Sequence, residues 1–457
     1  MSSDANSEPR YPFDCPEVPS SGYPREFPVL DLLQNWGPAD TARMPREHYL
    51  GICRFDFETE SHIALAYRDA EVPFIVYNHP EVDEAARAWS DPSHISEALH
   101  GKKYGMEVSK DRHFMYFANR GSEKPPGWKP PTEHTTATFY DFLEKALKGM
   151  EEGQDEHYYF RVTDSARSPN RLVRESLPIF QPAETPAEGS LFLKDPSKQK
   201  GVHCRFGMDG VIAEPHYDGS RNMVALLAGK RRWILSHPKN CKNMHMYPEG
   251  HPSERHSAAD WSSVDLRRFP NLAKVTANEV ILRAGEVLFV PTDWVHYIVN
   301  LGINAQCNSR SGIDTRYYDH IMECDAAAEA EVAHGVQVPE EEDEGEEEEE
   351  EEEAAEGQEE EEREGETEGE EDDDKEMQET AEEEEGDKVS GGKEEVEEEE
   401  EDDDGEEEAE REKEEEEERE NDSAKGLRGG GAGGASDFNG NNQQGREAVK
   451  SETLSLL

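Results

Sequence analysis

The chain has 457 residues with 107 acidic and 48 basic side chains, giving a formal net charge of −59. A chain this negative repels phosphates, which argues against direct nucleic-acid binding. No stretch approaches the roughly 18 apolar residues that a membrane helix needs, and the first residues lack the basic and apolar segments of a secretory signal. We therefore expect a protein of the nucleus or cytoplasm, of undetermined oligomeric state, that does not associate with membranes.

The negative charge is concentrated in one segment. Residues 340–420 hold 54 acidic and 7 basic side chains, and such a run has no apolar surface to offset the loss of chain entropy on folding. We divide the chain into a Pro-rich arm (1–70), a mixed helical and strand region (71–157), a β-rich domain (158–335) and a disordered acidic tail with a Gly/Asn-rich end (336–457).

The six cysteines are scattered and form no Cys-x-x-Cys pair; they are Cys15, Cys53, Cys204, Cys241, Cys307 and Cys324. This pattern favours reduced thiols, as in the cytosol or nucleus, over a disulfide scaffold or a zinc finger.

The elements before residue 158 are mixed. Residues 72–77 predict the first strand, and 81–89 and the segment starting at Pro92 predict two helices. Residues 138–149 have apolar side chains every three or four positions, which predicts the strongest helix of the chain.

Short strands separated by Gly and Pro dominate from residue 158 onward. We predict strands at 158–162, 190–193 and 203–206, and a pair at 222–227 and 232–235 that turns at Gly229. After a polar insert (236–274), further strands are predicted at 279–282, 287–290 and 296–299, and residues 315–331 predict a closing helix. This succession indicates a β-sandwich or barrel.

The motif with the clearest chemistry is His216-Tyr217-Asp218. On an extended chain, residues two apart point the same way, so the imidazole and the carboxylate can converge. A second histidine, His296, enters a late strand. Two imidazoles and one carboxylate form the facial triad of non-haem Fe(II) oxygenases, although a His-x-Asp alone carries little information in a chain with 17 histidines.

The surrounding residues resemble the JmjC/cupin-like family of Fe(II)- and 2-oxoglutarate-dependent oxygenases. The likeness is greatest to the small protein-hydroxylase branch, which includes the asparaginyl hydroxylase that inhibits hypoxia-inducible factor. It covers about residues 158–312 and extends more weakly back to residue 73. The most specific part is the distal block, in which these residues fall in register: Gly285, Phe289, Pro291, Trp294 and His296.

The resemblance implies a mainly β fold with flanking helices, a double-stranded β-helix of the jelly-roll type with the metal in its mouth. It implies that His216, Asp218 and His296 bind Fe(II), with 2-oxoglutarate and O2 as co-substrates. Asn222 and Asn308 match family positions that line the co-substrate pocket.

Two positions depart from the family pattern. Arg231 stands where the family usually has the lysine that pairs with the distal carboxylate of 2-oxoglutarate; a guanidinium can make that pair, but it is larger. Ala213 replaces a threonine that often donates to the same carboxylate. These departures weaken the co-substrate assignment more than the metal assignment.

The polar insert contains a loose group of metal-ligating residue types. Cys241, His245, His251 and His256 match no reliable zinc spacing, and a loop over the barrel mouth is the better interpretation. We expect Arg255, Arg267 and Arg268 as candidate substrate contacts within that loop.

The sequence leaves several functions open. The first is hydroxylation of a protein side chain. If the acidic tail captures the substrate, that substrate is a basic protein such as a histone or a ribosomal protein. The alternatives are a histone lysine or arginine demethylase and a non-catalytic cupin-fold protein acting as an acidic chaperone for basic proteins.

Overall fold

The structure, a computed structural model, describes residues 15–37, 49–118, 124–125, 127–152 and 156–333. The predicted acidic tail lies outside the described residues. The helices are α1 (Val29–Asn35), α2 (Phe57–Asp69), α3 (Pro80–Trp89), α4 (Pro92–Ala98), α5 (Phe139–Glu152), α6 (Arg171–Ser176) and α7 (Tyr318–Ala333). Short 3₁₀ turns occupy Pro178–Phe180, Pro182–Glu184, Pro196–Lys198, Pro238–Asn243 and Pro270–Lys274.

The strands are β1 (Phe27–Pro28), β2 (Arg54–Asp56), β3 (Phe74–Tyr77), β4 (Lys103–Ser109), β5 (His113–Phe114), β6 (Glu133–Thr138), β7 (His157–Asp164), β8 (Gln199–Gly207), β9 (Ile212–His216), β10 (Asn222–Ser236), β11 (Thr276–Arg283), β12 (Glu286–Val290) and β13 (Val295–Ser311). The architecture is therefore mainly β with flanking helices, as the sequence predicts.

Two long strands, β10 and β13, organise the sheet. They pair antiparallel along their whole length, from Asn222 opposite Arg310 to Ser236 opposite Val295. The first half of β10 also pairs with β12 and its second half with β11. In the same way β13 pairs with β9 near its start and with β8 near its end. This sharing of strands is the jelly-roll arrangement that the sequence predicts, and it encloses the interior between the two halves.

The predicted turn at Gly229 is wrong. Residues 222–236 form one continuous strand that bends, with register shifts on both sides of Ala228. Gly229 has φ of +71°, and a Cβ there would lie 2.4 Å from the carbonyl oxygen of Ile303. Glycine is therefore required by close backbone approach at a bulge, and not by chain reversal.

Two further regions differ from the sequence analysis, which predicts no helix in the Pro-rich arm and a strand at 190–193. The Pro-rich arm contains a 13-residue helix, α2, because the Asp56 carboxylate accepts hydrogen bonds from the backbone N–H groups of Glu58 and Thr59 and caps it. Residues 190–193 form a turn instead of a strand, closed by the bond from the Ser190 N–H to the Leu193 carbonyl at 2.9 Å. A short apolar run does not distinguish a buried turn from a strand.

The prediction of reduced thiols is also wrong. All six cysteines are paired, as Cys15–Cys53, Cys204–Cys307 and Cys241–Cys324. The partners are 38, 103 and 83 residues apart, so no local motif announces them. Because disulfides persist in oxidising compartments, the cysteines no longer support an assignment to the cytosol or nucleus.

Among the described residues, no helix has both the length and the apolar character needed to cross a membrane.

Candidate metal centre

The structure brings His216, Asp218 and His296 together. His216 ends β9, His296 is the second residue of β13, and the two are direct partners in the sheet. Their ring centroids are 4.2 Å apart, and Oδ2 of Asp218 lies 3.9 Å from Nε2 of His296. The ligand atoms of all three lie within 4.8 Å of one another. Their role as iron ligands stays a prediction.

The loop that carries Asp218 and the loop that precedes His296 are joined by one backbone hydrogen bond. The Asp293 N–H donates to the Asp218 carbonyl at 2.9 Å. Asp293 has φ of +68°, in the left-handed region, and the Trp294 N–H closes the turn onto the Pro291 carbonyl. The Pro-x-x-Trp sequence is thus a turn that starts β13 with His296 facing His216. Trp294 is fully buried and outside the cavity wall, consistent with a packing role.

Both histidines are held in the tautomer that leaves Nε2 free to bind a metal. The Nδ1 of His216 lies 2.7 Å from the Glu214 carbonyl, and that of His296 lies 2.9 Å from the Trp294 carbonyl. A carbonyl only accepts, so each Nδ1 carries the proton and each Nε2 keeps its lone pair. Burial lowers the pKa of His216 to about 4 and that of His296 to about 3, so both rings are neutral at pH 7, as metal binding requires.

A chain of hydrogen bonds fixes the Asp218 carboxylate. Arg310 donates to Oδ1 at 2.7 Å, and the Asn222 amide donates to Oδ2 at 2.8 Å. Asn308 donates to Asn222 at 3.1 Å, and Arg205 donates to Asn308 at 2.9 Å. Both predicted asparagines therefore lie in the site, where they orient the Asp218 carboxylate through side-chain bonds. The two arginines were not found from the sequence because no motif spacing links them to the His-x-Asp.

Arg231 is fully buried and lies behind the cavity wall. Its nitrogens donate to three neutral oxygens: Oδ1 of Asn304 at 2.6 Å, the Tyr159 hydroxyl at 3.0 Å and the Arg205 carbonyl at 3.3 Å. Among the described residues it has no acidic partner, whereas its neighbour Arg232 pairs with Glu279 at 2.7 Å. A buried cation without an anion is energetically unfavourable.

The cavity around the triad has a volume of about 110 Å³ and a net positive wall. The wall contains four arginines and three acidic residues: Arg161, Arg205, Arg255 and Arg310, and Glu107, Asp218 and Glu254. Tyr159 stands on the wall in front of Arg231, and Ala213 is also on the wall. In a chain with a net charge of −59, this is a local environment suited to an anion.

The polar insert covers part of the cavity, as the sequence predicts. His251, Glu254, Arg255 and His256 belong to its wall. His256 forms a backbone bridge with His216, and the two rings stack at 4.9 Å with an interplanar angle of 17°. The sequence placed His256 only in a loose cluster, because it reaches the triad through the fold of the insert.

The rest of that cluster does not converge. Cys241 is in a disulfide and His245 pairs with Glu331 at 2.9 Å. Of the three arginines expected as substrate contacts, only Arg255 is on the wall. Arg267 is 94% exposed, and Arg268 lies over the Phe269 ring.

Comparison with known proteins agrees with this geometry. The profile of a family described as a cupin-like domain matches residues 61–322, more than half of the chain. The tRNA wybutosine-synthesizing protein 5 of Danio rerio is 28% identical over 180 residues, which is 38% of this chain and 52% of that protein.

Two relatives carry other names. The HSPB1-associated protein 1 of Bos taurus is 25% identical over 271 residues, 54% of this chain and 51% of that protein. The Jumonji C domain-containing protein 5 of Drosophila melanogaster is 32% identical over 100 residues, 21% of this chain and 24% of that protein. The chain thus spans about half the length, or less, of the curated relatives it matches.

Proposed function

The chain belongs to the cupin-like domain family of the JmjC type, and from this membership we propose that it is an Fe(II)- and 2-oxoglutarate-dependent oxygenase that hydroxylates a protein side chain. The observation that carries the proposal is the pair of buried neutral imidazoles beside one oriented carboxylate. This donor set suits ferrous iron, whereas a thiolate-rich set would favour zinc.

His216, Asp218 and His296 would hold the metal. When bound, ferrous iron would supply the activation of dioxygen that no protein side chain provides. The chain's own contribution is to keep both Nε2 atoms unprotonated and to hold the Asp218 carboxylate between Asn222 and Arg310. Trp233 and Ile298 add apolar surface to the cavity wall, which limits the entry of water.

The co-substrate proposal depends on the buried charge of Arg231. A dianion such as 2-oxoglutarate would supply the anionic partner that this guanidinium lacks. Tyr159 connects Arg231 with the co-substrate. Its hydroxyl oxygen accepts a hydrogen bond from Arg231, and its own O–H remains able to donate into the cavity. We therefore assign the distal carboxylate to the Tyr159 side of the cavity, with Arg231 providing charge from behind.

A protein is the proposed substrate class. One relative is named for association with HSPB1 and another for tRNA wybutosine synthesis, so family membership does not fix the substrate. The strongly negative net charge disfavours RNA. The acidic segment would attract a basic protein over a range of about 8 Å at physiological ionic strength. Deleting residues 340–457 should therefore weaken the binding of histones at low salt, and unchanged binding would refute that role.

Succinate release from 2-oxoglutarate with Fe(II) tests the enzymatic proposal. We expect turnover by the full chain, and its loss in His216→Ala. The matched control is His62→Ala, which removes an exposed histidine on α2 and should leave the rate unchanged. A mass increase of one oxygen atom in a peptide library identifies hydroxylation, while release of formaldehyde identifies demethylation instead.

A second function is favoured by one specific observation. Ala213 is on the cavity wall where the family usually has threonine, so one hydroxyl donor to the co-substrate is absent. Loss of this donor would weaken co-substrate binding, and the second candidate function is therefore a non-catalytic cupin-fold protein that binds basic proteins. Absence of succinate release, coupled or uncoupled, together with tail-dependent histone binding would identify it.

A further inference from the structure

A second group of metal-ligating side chains lies on the other side of β9. His113, Glu214 and Asp260 place their ligand atoms within 4.8 Å of one another. His113 comes from β5, which runs parallel to β9, and Asp260 comes from the polar insert. A register shift between β9 and β13 allows Ala213 and His216 to face the cavity while Glu214 does not. The group is therefore separate from the triad.

Unpartnered polar atoms mark this place as incomplete. Glu214 is 5% exposed, and among the described residues its Oε2 has no hydrogen-bond partner. The hydroxyl of Tyr297, a residue with no exposed surface, is also without one. Tyr297 lies within electrostatic reach of both Glu214 and Asp260. Buried polar atoms are rarely left unsatisfied, so these two atoms point to a ligand that bonds them.

The chemistry of the group selects a cation. Two neighbouring carboxylates, one of them buried, repel each other, and a divalent ion offsets both charges. The Nδ1 of His113 now hydrogen-bonds Oε1 of Glu214. Its Nε2 lies 3.4 Å from the Ser262 hydroxyl, so that nitrogen can carry the ring proton and leave Nδ1 to a metal. One imidazole and two carboxylates suit zinc or manganese better than calcium or magnesium.

We propose that His113, Glu214 and Asp260 bind a divalent transition-metal ion at a second site outside the barrel. The ion would join β5, β9 and the polar insert. Because the insert carries His256 and the Glu214 carbonyl orients His216, this site would hold the cavity wall and one triad histidine in place.

The test uses the full chain with the first site removed by His216→Ala and His296→Ala. After treatment with a chelator, the protein is titrated with Zn(II) against a competing chromophoric chelator in 0.15 M salt, which suppresses weak binding by exposed glutamates. We expect one Zn(II) per chain. Adding Asp260→Asn, a loop substitution, should weaken binding at least tenfold, and adding His113→Ala should abolish it.

The matched control adds His62→Ala and Glu58→Gln, which remove one histidine and one carboxylate from exposed positions of α2 and should not change the Zn(II) affinity. Circular dichroism verifies that each variant is folded. If the triad variants do not fold, the metal content of the native chain is measured instead of the titration. Two ions per chain are then expected in the native protein and one in the Asp260→Asn variant. If the folded protein binds no Zn(II), water satisfies these groups and the proposal is wrong. Equal Zn(II) affinity in the Asp260→Asn variant and the control would also overturn it. Neither result depends on oxygenase activity.

Discussion

The guanidinium of Arg310 donates to Oδ1 of Asp218 at 2.7 Å, and both side chains are largely buried. The other oxygen, Oδ2, accepts from Asn222 and faces Nε2 of His296. The two donors therefore fix which carboxylate oxygen is directed toward the histidines. Arg310 also offsets the charge that Asp218 carries in a buried position.

Replacing Arg310 with alanine should weaken metal binding. The carboxylate would lose the orienting bond from Arg310, and loss of such a partner typically lowers metal affinity by about 10- to 100-fold. Titration with Mn(II), followed by the electron paramagnetic resonance signal of the free ion, measures the dissociation constant. Arg267→Ala removes an exposed arginine and is the control. Equal affinities in the two variants would contradict the orienting role.

Replacing Arg231 with methionine should raise the KM for 2-oxoglutarate by about 100-fold, or about 2.7 kcal/mol, because Tyr159 would lose its charged donor and the carboxylate would lose the positive charge behind it. Arg231→Lys retains the charge and should raise the KM by less than about tenfold. The rate of succinate formation at varied 2-oxoglutarate concentration measures both.

Arg232→Lys is the matched control for this series, because it alters the adjacent buried arginine but keeps a cation beside Glu279. Its KM should be that of the native chain. Arg205→Met tests the competing assignment, since Arg205 is on the cavity wall. A raised KM in that variant with an unchanged KM in Arg231→Met would move the distal carboxylate to Arg205.

The sequence predicts what depends on short spacing along a strand. A two-residue interval on an extended chain brings side chains together, which identifies His216 and Asp218, and a dense family motif identifies His296. Arg310 and His256 contact these residues through a distant strand and the fold of the insert. Their contacts arise from tertiary structure, which leaves no periodic signal in one sequence.

The same distinction explains the errors in the fold. A glycine between two apolar runs has the same local appearance whether the chain reverses or bends at a bulge, so the sequence does not distinguish the two at Gly229. The cysteine pairs depend on which strands are neighbours. Cys204 and Cys307 lie directly opposite on β8 and β13, which no spacing along the chain discloses.

The three disulfides predict that the folded chain has no alkylatable thiol. Iodoacetamide treatment without reductant should add no mass, and treatment after reduction of unfolded protein should add six carbamidomethyl groups. Removing the Cys204–Cys307 bond by two serine substitutions should lower the free energy of unfolding by about 2–4 kcal/mol. Urea denaturation of this double variant and of the native chain, both without reductant, measures the loss. Alkylation of all six cysteines in the untreated protein would contradict the pairing.

His79 predicts a specific loss of stability in acid. It is 8% exposed and packs against the rings of Phe57 and Phe192, with centroids 4.2 and 5.1 Å away. Burial lowers its pKa from 6.5 to about 4. Below pH 6.5 the unfolded chain therefore binds a proton that the folded chain does not bind until about pH 4, so stability falls as the pH decreases through this range.

The full effect at pH 4 is up to about 3 kcal/mol, from 1.36 kcal/mol per pKa unit. His79→Phe removes the titrating group, and its side chain can join the same aromatic cluster. The difference in the free energy of unfolding between pH 7 and pH 5, measured by urea denaturation, should be smaller in this variant by about 2 kcal/mol. His62→Ala removes an exposed histidine and should keep the native difference. If His79→Phe keeps it as well, protonation of His79 does not contribute to acid unfolding.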